Sequence, residues 1–112
     1  MTHLALTGCN DLCGNTLKQR VPAPDGRKDA VVFERDCGAT TAPSMQLAVV
    51  DPGDVPSGSG NALTTELLDD RKAIGLSWVG PDHLLVTIPQ EAELFQQKAT
   101  VSGVRIEYRK GN

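Results

Sequence analysis

Turn-forming clusters recur along this chain so closely that little room is left for a long helix. Pro24-Asp25-Gly26, Gly38, Asp51–Gly60 and Gly80-Pro81-Asp82-His83 punctuate it, and the apolar residues between them alternate with polar ones. Strict alternation has the two-residue period of a strand, which buries one face and solvates the other. Val31 and Phe33 oppose Ala30, Val32 and Glu34. Met45, Leu47 and Val49 share a face, as do Ile74, Leu76 and Trp78, and again Leu84, Val86 and Ile88. The clearest case is the last, with Val104, Ile106 and Tyr108 inward and Arg105, Glu107 and Arg109 outward. Thr16–Val21 alternates weakly.

Two segments read less simply. In Ala62–Leu68, Leu63 and Leu67 fit a helical i, i+4 pair, whereas Leu63, Thr65 and Leu67 fit a strand. The two threonines, and Asp69 and Asp70 crowding what would be a helix C-terminus, favour the strand. Glu91–Gln97 reads as one short helical turn or an irregular bridge. Asp51–Gly60, with three Gly and two Pro, reads as a mobile surface loop. The sum is a mostly β chain: a single small antiparallel β domain of about six or seven strands, sandwich or twisted meander, with at most one short helix.

At 112 residues such a domain has one core and gains from a covalent staple. Its net charge of −3 gives no basic surface for nucleic acid, since Arg105, Arg109 and Lys110 are interleaved with Glu107. No stretch approaches the ~20 apolar residues of a membrane-spanning helix.

Leu6-Thr7-Gly8-Cys9 resembles the lipobox of bacterial lipoproteins. In that family the signal peptide is cut before the Cys, whose sulfur then carries a diacylglyceryl anchor. The resemblance implies that residues 1–8 are the remnant of a signal peptide, that 9–15 tether, and that 16–110 form the β domain. A signal peptide has a basic n-region and roughly 7–15 apolar residues. Met1–Ala5 supplies neither, so either the native start lies upstream of Met1 or the four-residue match is accidental. Membrane attachment would rest on lipid alone, and two acyl chains on Cys9 suffice for it.

The three cysteines then divide into one lipid site, Cys9, and one pair. Cys13 and Cys37 are each followed by Gly and lie at the rims of predicted strands, so we expect a Cys13–Cys37 disulfide. Two other readings compete with it. One is a zinc site from Cys9, Cys13, Cys37 and His83, which lacks any Cys-x-x-Cys pair. The other is a reduced protein with three unrelated thiols.

A second resemblance spans nearly the whole chain after Cys9. Cys13-Gly14-Asn15, Pro24-Asp25-Gly26, the run Asp36-Cys37-Gly38-Ala39-Thr40-Thr41 and the final Val104-Arg105-Ile106-Glu107-Tyr108 resemble motifs of small bacterial exported proteins of unknown function. Those proteins tend to an aromatic and a polar residue where this chain has Ala42-Pro43, so contacts made there would differ. The resemblance implies an address, the bacterial cell envelope, and no activity.

Candidate chemistry is sparse. Asp36, Thr40 and Thr41 offer a carboxylate and two hydroxyls that could bind a small polar ligand or a glycan edge. Short polar residues beside Gly also serve as plain turn formers, with Gly38 at positive φ. A nucleophilic enzyme needs a base beside its nucleophile. The only histidine past residue 8 is His83, read as a solvated turn residue, and a catalytic reading requires it to meet Glu34 and Asp36 in one pocket. Trp78 and Tyr108 read as core. The sequence therefore points to a non-catalytic binding or structural domain, without cofactor or metal. It would be held at the membrane through lipid and face an envelope protein or polysaccharide. An immunity or exclusion factor against a toxin or phage component is the alternative, and a small envelope enzyme a third.

Overall fold

The computed structural model describes residues 13–38, 41–66 and 73–111. Cys9, the signal and tether residues before Cys13, Thr40, and Leu67 and Leu68 lie outside them. Nine strands follow in order, with no helix among the described residues. They are β1 Gly14–Pro22, β2 Asp29–Asp36, β3 Ser44–Val50, β4 Leu63–Glu66, β5 Gly75–Gly80, β6 His83–Pro89, β7 Leu94–Gln97, β8 Thr100–Val101 and β9 Val104–Gly111. One sheet has the order β1-β2-β3-β4-β7, the other β5-β6-β9-β8.

The alternation in the sequence decides which faces meet. Ala30, Val32, Met45, Leu47, Val49 and Leu63 of the first sheet pack against Leu84, Val86, Ile88, Val104 and Ile106 of the second. This shared core makes the fold a sandwich. Ala62–Glu66 is extended as expected, because Leu63 pairs with Leu47 and buries the same face. Trp78 and Tyr108 point inward and use their polar tips: Trp78 Nε1 donates to the Val21 carbonyl at 2.8 Å, and the Tyr108 hydroxyl donates to the Lys98 carbonyl at 2.8 Å.

The architecture departs from the sequence reading first in β7 and β8, two strands that it did not contain. Glu91–Gln97 is neither a helical turn nor an irregular bridge: its second half is β7, an edge strand of the first sheet. The chain then turns through Lys98 and Ala99 into β8 of the opposite sheet. Lys98 N donates to Ala62 O at 2.8 Å and Ile106 N to Ala99 O at 2.8 Å, which closes this side of the sandwich. The second departure is direction. β6 and β9 pair in parallel, from His83 opposite Arg105 to Pro89 opposite Gly111. A parallel pair needs a crossover of about a dozen residues or more. The excursion through β7 and β8 provides it.

The 51–60 segment is on the surface, yet it is fastened rather than loose. Val31, Phe33 and Ala48 form a second buried cluster on the face of β2 and β3 turned away from the sandwich core. The loop ties to residues around that cluster. Arg20 donates to the Asp54 carbonyl at 2.6 Å, and Gly53 N to Asp29 Oδ2 at 3.0 Å. Asn15 Nδ2 lies 2.9 Å from the carbonyls of both Pro56 and Gly58. Gly60 ends the loop where a Cβ would stand 2.6 Å from the Leu47 carbonyl oxygen, so only glycine permits the approach.

Candidate functional site

Three surface regions gather polar chemistry, and the sheet register places them. At one end, Gly14 pairs with Asp36, so Cys13 and Cys37 occupy the next cross-strand positions. They are joined by a disulfide, with the sulfurs 2.07 Å apart. Their thiolates are thus unavailable to the zinc set considered above. Beyond the bond, Gly38 adopts φ +103° and its N–H donates to Asp36 Oδ1 at 3.0 Å. The Asp36 carboxylate therefore shapes its own turn.

Thr41 lies elsewhere in that neighbourhood, on a cleft of about 410 Å³ that also contacts Ala42, Pro43, Ser44, Glu66 and Phe95. Of the expected ligand set, Thr41 lines the cleft, Asp36 does not, and Thr40 is outside the described residues. Phe95 is 60 % exposed. Sequence reasoning missed it because Leu94-Phe95-Gln96-Gln97 shows no alternation; the signal available was a large aromatic set among polar neighbours.

The opposite end carries the hairpin turns. Asp25, Arg27 and Lys28 of the β1–β2 turn meet Asp82 of the β5–β6 turn and Ser102 and Gly103 of the β8–β9 turn around a cleft of about 310 Å³. Ser102 at φ 52° and Gly103 at φ 81° give the paired left-handed residues of a tight two-residue hairpin. Lys28 Nζ is held 3.0 Å from Asp51, and Arg27 N donates to Asp25 Oδ1 at 3.1 Å.

The third region is the solvent face of the second sheet. His83 is not a turn residue; it opens β6, with its ring half-buried against β9. A guanidinium can only donate, so His83 Nδ1, 3.3 Å from Arg105, accepts. Nε2 then carries the proton and donates to Glu107 Oε1 at 3.2 Å. Hydrogen bonds from Arg109 first and His83 second hold the Glu107 carboxyl below its usual range.

Glu34, Asp36 and His83 do not converge. Asp36 ends β2 at the disulfide, whereas His83 starts β6 beside the turns at the far end; the strand between spans roughly 20 Å. Glu34 instead lies 3.7 Å from Lys18 of β1. Among the described residues no helix is long and apolar enough to cross a membrane. No protein-family model, curated protein or solved structure matches the chain.

Proposed function

We propose that the chain is a binding domain of the bacterial cell envelope, anchored by lipid on Cys9 and engaging a polar partner with its turn-rich far end. The observation that carries this reading is the position of the Cys13–Cys37 disulfide. Disulfides persist in oxidising compartments, outside the reducing cytosol. This one also clamps the domain at the point where the chain leaves Cys9. Four residues of extended chain reach at most about 14 Å, so a lipid on Cys9 keeps the disulfide end beside the membrane surface.

That orientation assigns roles to the two ends. The cleft beside Thr41 and Phe95 faces the tether. The cleft among Asp25, Arg27, Lys28 and Asp82 faces away, where an envelope protein or wall polysaccharide has access. Turns on a rigid sandwich are the usual place for recognition. Cations and carboxylates side by side suit a partner rich in hydroxyls or in mixed charge.

Fractionation tests the reading. With a complete signal peptide, the wild-type chain should be recovered with membranes and Cys9→Ala in the soluble fraction. Membrane recovery of Cys9→Ala at the wild-type level contradicts it.

A further inference from the structure

At the disulfide end, an exposed aromatic ring and a fixed carboxylate share one cleft. An irregularity in the sheet puts the ring there. In the β4–β7 ladder Thr65 pairs with Leu94 and Thr64 with Gln96, so Phe95 is the extra residue of a bulge. A bulge bends its strand and re-aims a side chain. Leu94 keeps its packing on the core, while Phe95 lines the cleft and stays 60 % exposed.

The carboxylate belongs to Glu66, the last residue of β4. Glu66 N donates to the Glu93 carbonyl at 3.1 Å, and Glu66 Oε2 accepts from Glu93 N at 3.1 Å. This two-way clasp holds the group by one oxygen. The other, Oε1, has no partner among the described residues.

The lining decides which ligand suits. Among the described residues around the cleft Glu66 alone is charged, and no side chain there carries an N–H. Ser44 Oγ already accepts from Gln46 Nε2 at 2.9 Å. Ala42 and Pro43 add apolar wall. The cleft thus presents a negative charge, an aromatic face and alkyl contact, with two hydroxyls as its only side-chain donors. An anion meets the wrong charge. Sugar hydroxyls must accept as well as donate, and a bare calcium or magnesium ion needs about six oxygens. An organic ammonium ion accepts nothing, is attracted by the carboxylate and stacks its charge on an aromatic face. The volume of about 410 Å³ is in the range that holds a small molecule.

We infer that this cleft binds an organic ammonium group, with its charge against Glu66 Oε1 and the Phe95 ring and its carbon body along Pro43. The group comes from a free amine or from the headgroup of a lipid. Only the headgroup source draws on the anchor at Cys9, which would hold this end beside the membrane; the site itself does not depend on it.

Choline and its uncharged isostere 3,3-dimethylbutanol, titrated into the full oxidised chain at neutral pH, test the site. Amide NMR shifts of Thr41, Ser44, Glu66 and Phe95 should saturate with choline at a Kd of about 1–10 mM, as suits so few ligand atoms. The isostere and methyl glucoside should bind about tenfold more weakly or less, the worth of a charge-assisted contact. Glu66→Gln keeps an oxygen for Glu93 N and should weaken choline binding by a similar factor. Phe95→Leu, on an exposed position, should weaken it about two- to fivefold, and carries the test should Glu66→Gln fold poorly. Vesicles separate the sources. Cosedimentation with phosphatidylcholine and not phosphatidylglycerol, lost in Glu66→Gln, assigns a headgroup; choline binding without cosedimentation assigns a free amine. Absence of choline-dependent shifts at these amides overturns the inference. So does equal binding of choline and its isostere, or wild-type affinity in both variants.

Discussion

Replacing Asp29 with alanine removes the carboxylate on which the 51–60 loop closes. Asp29 is buried, accepts from Arg20 at 2.6 Å and from Gly53 N at 3.0 Å, and so links β1, β2 and the loop. A hydrogen bond to a charged partner contributes about 1.5–3 kcal/mol and a neutral one about 1 kcal/mol. Arg20 keeps its bond to the Asp54 carbonyl and its side chain is 25 % exposed, so water recovers part of the loss. The net cost should be about 2–3 kcal/mol, between a surface pair and a fully buried one. Urea denaturation of Asp29→Ala at neutral pH reads this directly, and hydrogen exchange at Gly53 and Asp54 should show the loop opening. The Gly53 N–H chiefly, and Arg20 after it, hold the Asp29 carboxyl below its ordinary value against the opposing effect of burial. A carboxylate with a lowered folded pKa stabilises above its unfolded value of about 3.9 and loses that effect as pH falls through the folded one. The gap between wild type and Asp29→Ala should therefore be full at pH 7 and shrink in acid. A neutral-pH cost below about 0.5 kcal/mol, as for an ordinary surface change, would refute the reasoning. Unchanged exchange at Gly53 would do the same.

Two further perturbations test the staple and the closed side of the sandwich. Reduction, or the double change Cys13→Ser with Cys37→Ser, opens a loop closed over a sequence separation of 24. The chain-entropy account gives a loss of about 3.5 kcal/mol, to be measured by urea denaturation with and without reductant; equal midpoints would contradict it. Tyr108 is the single tyrosine, and burial, offset by its bond to Lys98, pushes its hydroxyl up to about 12. Its phenolate absorbance should therefore appear near pH 12, and stability should fall as pH rises from the unfolded value of about 10, because only the unfolded chain ionises there. Ionisation at the ordinary value in the folded protein would contradict the half-buried position of the Tyr108 ring.

The sequence exposed the parts of this fold that depend on neighbours along the chain. Val104, Ile106 and Tyr108, like Leu84, Val86 and Ile88, alternate because one face of each strand packs on the opposite sheet. The turn at Pro24-Asp25-Gly26 and the left-handed Gly38 were legible from local steric preference. What stayed hidden depends on distant partners. β7 has no pattern, since Phe95, Gln96 and Gln97 all remain exposed on an edge. The parallel pairing of β6 and β9 leaves no mark in either strand, because direction is decided by the path between them. The composition of 51–60 suggested freedom, while its restraint comes from Asn15, Arg20 and Asp29, distant in the chain. His83 looked like part of a turn for the same reason: Arg105 and Glu107, which hold its ring, are more than twenty residues away.

The proposed envelope role depends on a division of labour among three sulfurs. Intact-mass and peptide mass spectrometry on protein taken from the membrane fraction of its native host, without reductant, measures it in one step. The expected result is a chain beginning at a diacylglyceryl-modified Cys9 with Cys13 and Cys37 joined in one peptide pair. Recovery of Cys9 as an unmodified thiol within a longer chain, or of Cys13 and Cys37 as separate free thiols, would contradict it.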